Sequence, residues 1–362
     1  MDSDQSDYND AVKGLDEFGT LLCGLMKELL ADAGIQVHSI SCRVKDFESS
    51  LRKLDVKGDR YSSISDLTDL LGVRVVTYFP KDVDRVAAVI EREFTIDKTN
   101  SVDKRKKLDT DRFGYLSLHF VAEMSQKRAR LTEYKRHANK KFELQMRSIL
   151  QHAWAEIEHD LGYKAKSGLP DPLRRRFSML AGSLELVDEE FERLRKEISD
   201  YEDEVDAVIK HAPQTLPINQ STLVASFENE TPLNDLDRVV AGARMSTVRR
   251  DIDTSYIIKE IENLKVLGVD NIEQLHNYAK NYKAHVKRFA EIWLGSAPKG
   301  LNAAPATRGI GLFYLNYALA AQLNDSELSD WGLNITTRSK GLLDKVKKTW
   351  QEVVGELGEP QP

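Results

Sequence analysis

FELQMRSILQHAWAEIEHDL, residues 142–161, changes its periodicity partway along. Phe142, Leu144 and Met146 alternate with Glu143, Gln145 and Arg147, the period of two that marks a strand with one apolar face. From Ile149 to about Leu161 the pattern becomes helical. Upstream, ISDLTDLLGVRVVTYF (64–79) predicts a helix ending at Gly72 and a strand from Val73 to Phe79. Pro80 closes that strand, and Asp82 caps a helix through Ile90. VHSISCRVKDFESSLRKL (37–54) predicts a short strand and a helix starting near Asp46. In DRFGYLSLHF (111–120), Tyr115, Ser117 and His119 alternate with Leu116, Leu118 and Phe120, giving a strand over 115–121. A helix over about Tyr8 to Ala33 precedes them all. The expected class is therefore α+β, with a mixed central sheet flanked by helices.

Beyond Pro170 the character changes. Leu173, Phe177, Leu180, Leu184, Val187, Phe191, Leu194, Ile198, Tyr201, Val205 and Val208 alternate steps of four and three, a heptad seam. Such a helix packs on the first domain or on another subunit. The expected organisation is a domain over 1–170, a long helix over 171–212, a polar linker over 213–235 and an all-α domain over 236–362. The last is read as regulatory or oligomerising, and a homo-oligomer is expected.

A chain of 362 residues exceeds the usual size of a single core. Charged residues make up 30% and mean hydropathy is −0.45. No apolar run approaches the roughly 20 residues that span a bilayer. The acidic start, MDSDQSDYND, is unlike a secretory signal. Cys23 and Cys42 supply no disulfide framework or metal-ligand spacing, and are expected as thiols of a reducing cytoplasm. Net charge is −6, yet residues 98–107 and 127–141 are strongly basic and flank the 115–121 strand. Two basic segments around one strand suit a polyphosphate or RNA backbone.

The chain has no P-loop, no strand-linked G-x-G-x-x-G, no H-E-x-x-H and no C-x-x-C. The dipeptide His159-Asp160 lacks the further spaced ligands of a metal-dependent phosphohydrolase. Any nucleotide chemistry must rest on side-chain charges near strand ends. Asp69 and Glu143 are carboxylates suited to Mg²⁺, a hard cation that prefers oxygen. Arg43, Lys45, Lys53 and Arg74 supply positive charge for a triphosphate, guanidinium groups gripping its oxygens in pairs.

Four blocks, HSISCRVKDFESSLRKL, SDLTDLLGVRVV, DRFGYLSLHF and FELQMRSILQHAWAEIEHDLGYK, together resemble the synthetase domain of the RelA/SpoT family. The resemblance covers about residues 36–164. With no hydrolase or TGS module, it lies nearer the small alarmone synthetases, though with a longer C-terminal region. It implies a nucleotidyltransferase-like synthetase domain, Mg²⁺ as cofactor, and ATP with GDP or GTP as substrates. Pyrophosphate would pass from ATP to a ribose 3'-hydroxyl, making (p)ppGpp and AMP.

By the same resemblance Arg43 packs on adenine, Lys45, Ser49 and Lys53 meet the phosphates, and Arg74 follows the metal-binding Asp69. Glu143 is the second essential acid, near the metal and the acceptor hydroxyl. Tyr115 stacks on the acceptor base, with His119, Gln145, Arg147 and Arg112 nearby. Where small synthetases carry Lys-Pro-Asn before Gly-Tyr, this chain has Asp111-Arg112-Phe113. That departure keeps open a tRNA 3' end or an adenosine nucleotide as acceptor. An inactive nucleotide sensor is the remaining reading.

Overall fold

The computed structural model describes residues 2–56, 60–103, 117–164, 170–243, 245–295, 304–335 and 340–361. Tyr115 and Arg112 therefore lie outside the described residues. The chain divides into two compact units, Met1–Lys196 and Glu197–Pro362.

In the first unit, helices α1 (Asp2–Val12) and α2 (Leu15–Asp32) lead into strand β1 (Val37–Val44) and helix α3 (Phe47–Val56). Strand β2 (Leu71–Thr77), helix α4 (Pro80–Glu93), and strands β3 (Phe94–Ile96) and β4 (Val102–Asp103) follow. Strand β5 (Leu118–Met124), helix α5 (Gln126–Ala129), strand β6 (Phe142–Ser148) and helix α6 (Ile149–Lys164) complete the α/β part. The strands form one mixed sheet in the order β1-β2-β6-β5-β3, with β4 paired to β5. β2 and β6 are parallel, while β1–β2 and β5–β6 are antiparallel.

Alternation divides the strands between two faces. Val73, Val75, Phe142, Leu144 and Met146 pack against Phe18, Leu22 and Met26 of α2 and Val83, Val86 and Ile90 of α4. Gly72, Arg74, Glu143, Gln145 and Arg147 point the other way. The register aligns Gly72 with Glu143 and Arg74 with Gln145 across the parallel pair.

Several local readings change. The single helix expected over Tyr8–Ala33 is two, α1 and α2, broken at Gly14, whose φ of 70° ends the first helical run. Helix α4 starts at Pro80 with Phe79 as its N-cap, so Asp82 sits in the first turn rather than capping it. Residues 64–70, expected as a helix running to Gly72, form only a 3₁₀ turn over Ile64–Asp66, and the strand begins at Leu71. The Asp66 carboxylate accepts from the Ser62 and Ser63 amides and tightens the turn. The extended backbone that follows lets Lys45 N–H donate to Leu70 C=O at 2.8 Å. Cys23 and Cys42, expected as thiols, are joined in a disulfide linking α2 to β1. Gly19 eases it: a Cβ there would meet Cys42 Cβ at 3.1 Å and Leu71 Cδ1 at 3.2 Å, so a side chain at this position would crowd the approach of α2 to β1.

Residues 171–196 of helix α7 (Asp171–Val208) belong to the first unit and are held there by polar anchors. Ser148 Oγ donates to buried Asp188 at 2.8 Å, and Arg195 pairs with Asp82 at 2.9 Å while covering the Phe79 ring. Phe177, Ala181 and Leu184 pack around Trp154.

The second unit is all helical: α8 (Gln220–Glu228), α9 (Pro232–Ala243), α10 (Thr254–Val266), α11 (Ile272–Asn281), α12 (Lys283–Leu294), α13 (Ile310–Ala320), α14 (Asp325–Ile335) and α15 (Lys340–Leu357). Its core holds Phe227, Leu236, Leu264, Phe289, Leu315 and Trp331. Residues 213–235, read as a linker, contain α8, which buries Leu223 and Phe227 in that core. Asn219 caps it by accepting from Thr222 N–H, so the polar residues that looked like linker are capping chemistry. The mixed sheet followed by an all-helical region is the fold class expected. No helix among the described residues is long and apolar enough to cross a membrane.

Candidate active site

The polar face of β1, β2 and β6 opens into a cleft of about 390 Å³, lined by residues that include Arg43, Lys45, Ser49, Asp69, Arg74, Glu143 and Gln145. Seven residues singled out in the sequence thus converge on one cavity from four separate segments. Lys53 joins them through Asp69.

Asp69 sits in the turn before β2. Its Oδ2 takes both Lys45 Nζ and Lys53 Nζ at 2.7 Å, while its buried Oδ1 has no hydrogen-bond partner. A buried carboxylate oxygen without a donor is costly in isolation and well suited to a cation. Among the described residues no group of three or more His, Cys, Asp or Glu side chains forms a metal cage. One or two carboxylates completed by phosphate oxygens and water are what Mg²⁺ ordinarily uses.

Glu143 anchors a hydrogen-bonded series across β5 and β6. Its Oε1 lies 3.2 Å from His119 Nδ1, and its Oε2 accepts from Gln145 Nε2 at 2.9 Å. Gln145 Oε1 in turn accepts from Arg147 Nη2 at 2.7 Å, and His119 Nε2 is 2.6 Å from Ser117 Oγ. Burial pushes the Glu143 carboxyl up, but the hydrogen bonds from His119 and Gln145 and the charges of His119 and Lys53 outweigh it, holding it down at about 2. The carboxylate is thus ionised at any physiological pH. Arg147 is buried, and the loss of solvent and the nearby Arg74 charge lower its pKa.

The remaining cations are held by acids that the sequence reading passed over. Arg43, with an 81% exposed side chain, reaches Asp46 at 3.2 Å, and Asp46 also accepts from the Ser49 amide at the start of α3. Arg74 pairs with Glu156 of α6 at 3.1 Å. His152, one turn before Glu156, has its pKa lowered by burial and by Arg147 and Arg74. Glu156 and His152 stand four apart on α6, immediately after the strand whose polar face carries Glu143, Gln145 and Arg147. That i, i+4 spacing is the signal that could have found them.

Basic side chains, an acid with a free buried oxygen, and a second ionised acid on the adjoining strand form a site for a polyphosphate and a divalent cation. Residues 42–168 match the family model described as the region found in RelA / SpoT proteins. The chain is 30% identical over 167 residues to the GTP pyrophosphokinase YwaC of Bacillus subtilis (strain 168), covering 45% of this chain and 75% of that one. It is 26% identical over 167 residues to the GTP pyrophosphokinase YjbM of the same organism, covering 45% and 74%. A solved structure of small alarmone synthetase 1 from Bacillus subtilis, bound to its product pppGpp, is 24% identical, with a TM-score of 0.43 over 53% of this chain and 95% of that one. The chain belongs to the RelA/SpoT family, resembling its small alarmone synthetases, with an additional helical C-terminal region.

Proposed function

We propose that this chain transfers the pyrophosphoryl group of ATP to the 3'-hydroxyl of GDP or GTP, forming (p)ppGpp and AMP. The observation that carries the reading is the convergence of Asp69 and Glu143 with Arg43, Lys45, Lys53 and Arg74 on one cleft. The names of the two curated relatives point the same way.

Asp69, through its unpartnered oxygen, and Glu143 would hold Mg²⁺, which when bound neutralises charge on the transferring phosphates. Lys45, Lys53 and Arg74 exchange their present carboxylate partners for phosphate oxygens, so the cleft needs no further basic side chain when the donor arrives. Arg43, exposed at the rim, can leave Asp46 to lay its guanidinium plane on adenine. The acceptor 3'-oxygen attacks the β-phosphorus, the bond from that phosphorus to the α,β-bridging oxygen breaks, and AMP departs with that oxygen.

Glu143 faces the acceptor side and takes the hydroxyl proton as the new bond forms. A carboxylate held at about 2 is a weak base at rest. It therefore acts late, after the hydroxyl has become acidic, and orients the hydroxyl before that. His119 and Gln145 fix its two oxygens. Gln145, Arg147 and His119 fall on the acceptor side, as do Arg112 and Tyr115 by the family resemblance.

The decisive experiment offers labelled ATP with GDP, GTP and deacylated tRNA in one reaction series. Labelled guanosine product and AMP, both lost in Asp69→Asn, are expected. Label on tRNA alone would replace this reading with a tRNA 3'-pyrophosphotransferase, which the Asp111-Arg112-Phe113 departure and the basic segments favour. ATP binding without transfer to any acceptor would leave only a sensor.

A further inference from the structure

Two loops of the helical unit bring four arginines to one recess. Residues 245–251 and 304–309 are zipped together by their backbones. Ala306 N–H donates to Thr247 C=O at 2.7 Å, and Arg249 N–H donates to Ala306 C=O at 2.9 Å. Ser246 Oγ adds a bond to Ala304 C=O at 2.9 Å. Beside α9 these loops border a recess of about 160 Å³, whose lining includes Arg238, Arg249, Arg250 and Arg308.

The four guanidinium groups are not held alike. Arg238 is neutralised by Glu230, which also lines the recess, and by Asp235 at 2.8 Å. Arg308 donates to two neutral groups, the Arg250 carbonyl at 3.2 Å and the Phe227 carbonyl. Asp237, in the recess wall, lies near Arg308 but spends its two oxygens on the Gly309 and Gly311 amides. Arg250 also borders an acidic groove with Asp206, Glu228 and Asp251, yet pairs with none of them. Among the described residues, then, Arg249, Arg250 and Arg308 have no ion-pair partner. In the first unit's cleft, by contrast, Arg43, Lys45, Lys53 and Arg74 each rest on a carboxylate.

Like charges gathered without counter-charges repel, and a ligand of opposite sign offsets that cost. The backbone is strained at the same place. Glu230 and Met245 are the two non-glycine residues with positive φ among the described residues, both at 53°. One lines the recess and the other opens the 245–251 loop, and such strain collects where a ligand needs the backbone held.

We propose that this recess binds a phosphate-bearing anion, gripping its terminal phosphate between Arg249, Arg250 and Arg308. Guanidinium forks match phosphate oxygens in pairs. Its volume falls below the roughly 300–1,000 Å³ that encloses a whole small molecule. It therefore takes the phosphate head of a phosphomonoester or polyphosphate and leaves the remainder outside. Arg308, tied to two carbonyls, is the fixed member, and exposed Arg249 and Arg250 close over the ligand. The site lies within the helical unit and is independent of the reaction proposed above.

Calorimetric titration of the full chain with inorganic pyrophosphate, without divalent metal, tests it. A background of Lys45→Gln with Arg74→Gln weakens the first unit's cleft, and one site per chain should remain. Adding Arg249→Gln and Arg250→Gln should weaken that site at least tenfold and leave the helical circular-dichroism signal unchanged, since neither side chain has a partner in the fold. Lysine at both positions should restore part of the affinity, keeping the charge but not the fork. Displacement of pyrophosphate by AMP would assign the site to phosphomonoesters, and its failure to free polyphosphate. No pyrophosphate bound in the background, an affinity unchanged by the two glutamines, or binding of tRNA but of no small anion would each overturn the proposal.

Discussion

Asp69 gives only one of its two oxygens to the protein, and that one is shared by two lysines. Asp69→Asn removes the charge that gathers Lys45 and Lys53 and weakens the free donor. Transfer should fall about a thousandfold, with ATP binding retained by the released lysines. Turnover measured beside calorimetric ATP titration checks this, and a rate close to wild type would remove Asp69 from the metal. Glu156 works in the opposite sense. It occupies Arg74 at 3.1 Å, so ATP, as the proposed donor, would have to displace a half-exposed ion pair. Glu156→Gln should lower the KM for ATP by about two- to fivefold without changing kcat much, the size of a surface pair. Steady-state kinetics would show it, and a raised KM would mean that Glu156 orients Arg74 instead of competing for it. Asp69 and Glu143 were legible because carboxylates at strand ends stand out against alternation. Asp46, His152 and Glu156 were not, because their roles depend on which side chains the fold brings opposite them.

At the scale of elements, alternation located the strands, but not where β2 begins. Leu70 and Leu71 look like the last turn of an amphipathic helix until the Asp66 capping of the preceding turn is known. The Cys23–Cys42 bond was equally hidden, since it depends on α2 lying over β1 at Gly19. Residues 213–235 misled through composition, their polar residues capping α8 rather than spacing domains. The crossing of α9 and α13 depends on one glycine in the same way. A Cβ at Gly311 would stand 2.5 Å from Leu236 Cβ and 2.7 Å from the Asp237 amide nitrogen. Gly311→Ala should therefore cost about 1 to 3 kcal/mol, the range for overpacking against backbone that cannot retreat. Gly242→Ala, on α9 with nothing within 4 Å of the new Cβ, should be neutral or slightly stabilising. Chemical denaturation of the two variants checks the contrast.

Across the molecule, the helical unit carries a pH dependence that the α/β unit does not share. Asp237 is buried and accepts from the Gly309 and Gly311 amides at 2.8 Å. Burial pushes its carboxyl up to about 6, against the pull of those amides and of Arg308. A folded pKa above the ordinary 3.8 contributes stability in full below about pH 4, and that contribution is lost as pH rises through 6. Asp237 alone should contribute a loss on the order of 2 to 3 kcal/mol between pH 4 and 7, opposed by buried His276, whose pKa is lowered to about 4, and Asp237→Asn should remove the Asp237 part. Denaturation curves across that range, wild type beside variant, measure the difference. The cleft of the first unit has a consequence of another kind. Its cations Arg43, Lys45, Lys53 and Arg74 are matched by Asp46, Asp69, Glu143 and Glu156, on a chain of net charge −6. On the proposed function, so balanced a set of side chains adds little field beyond the mouth, and nucleotides would reach it with little steering from the cleft itself. Capture rates should accordingly vary little with ionic strength, where an unneutralised basic funnel would slow steeply as salt is added.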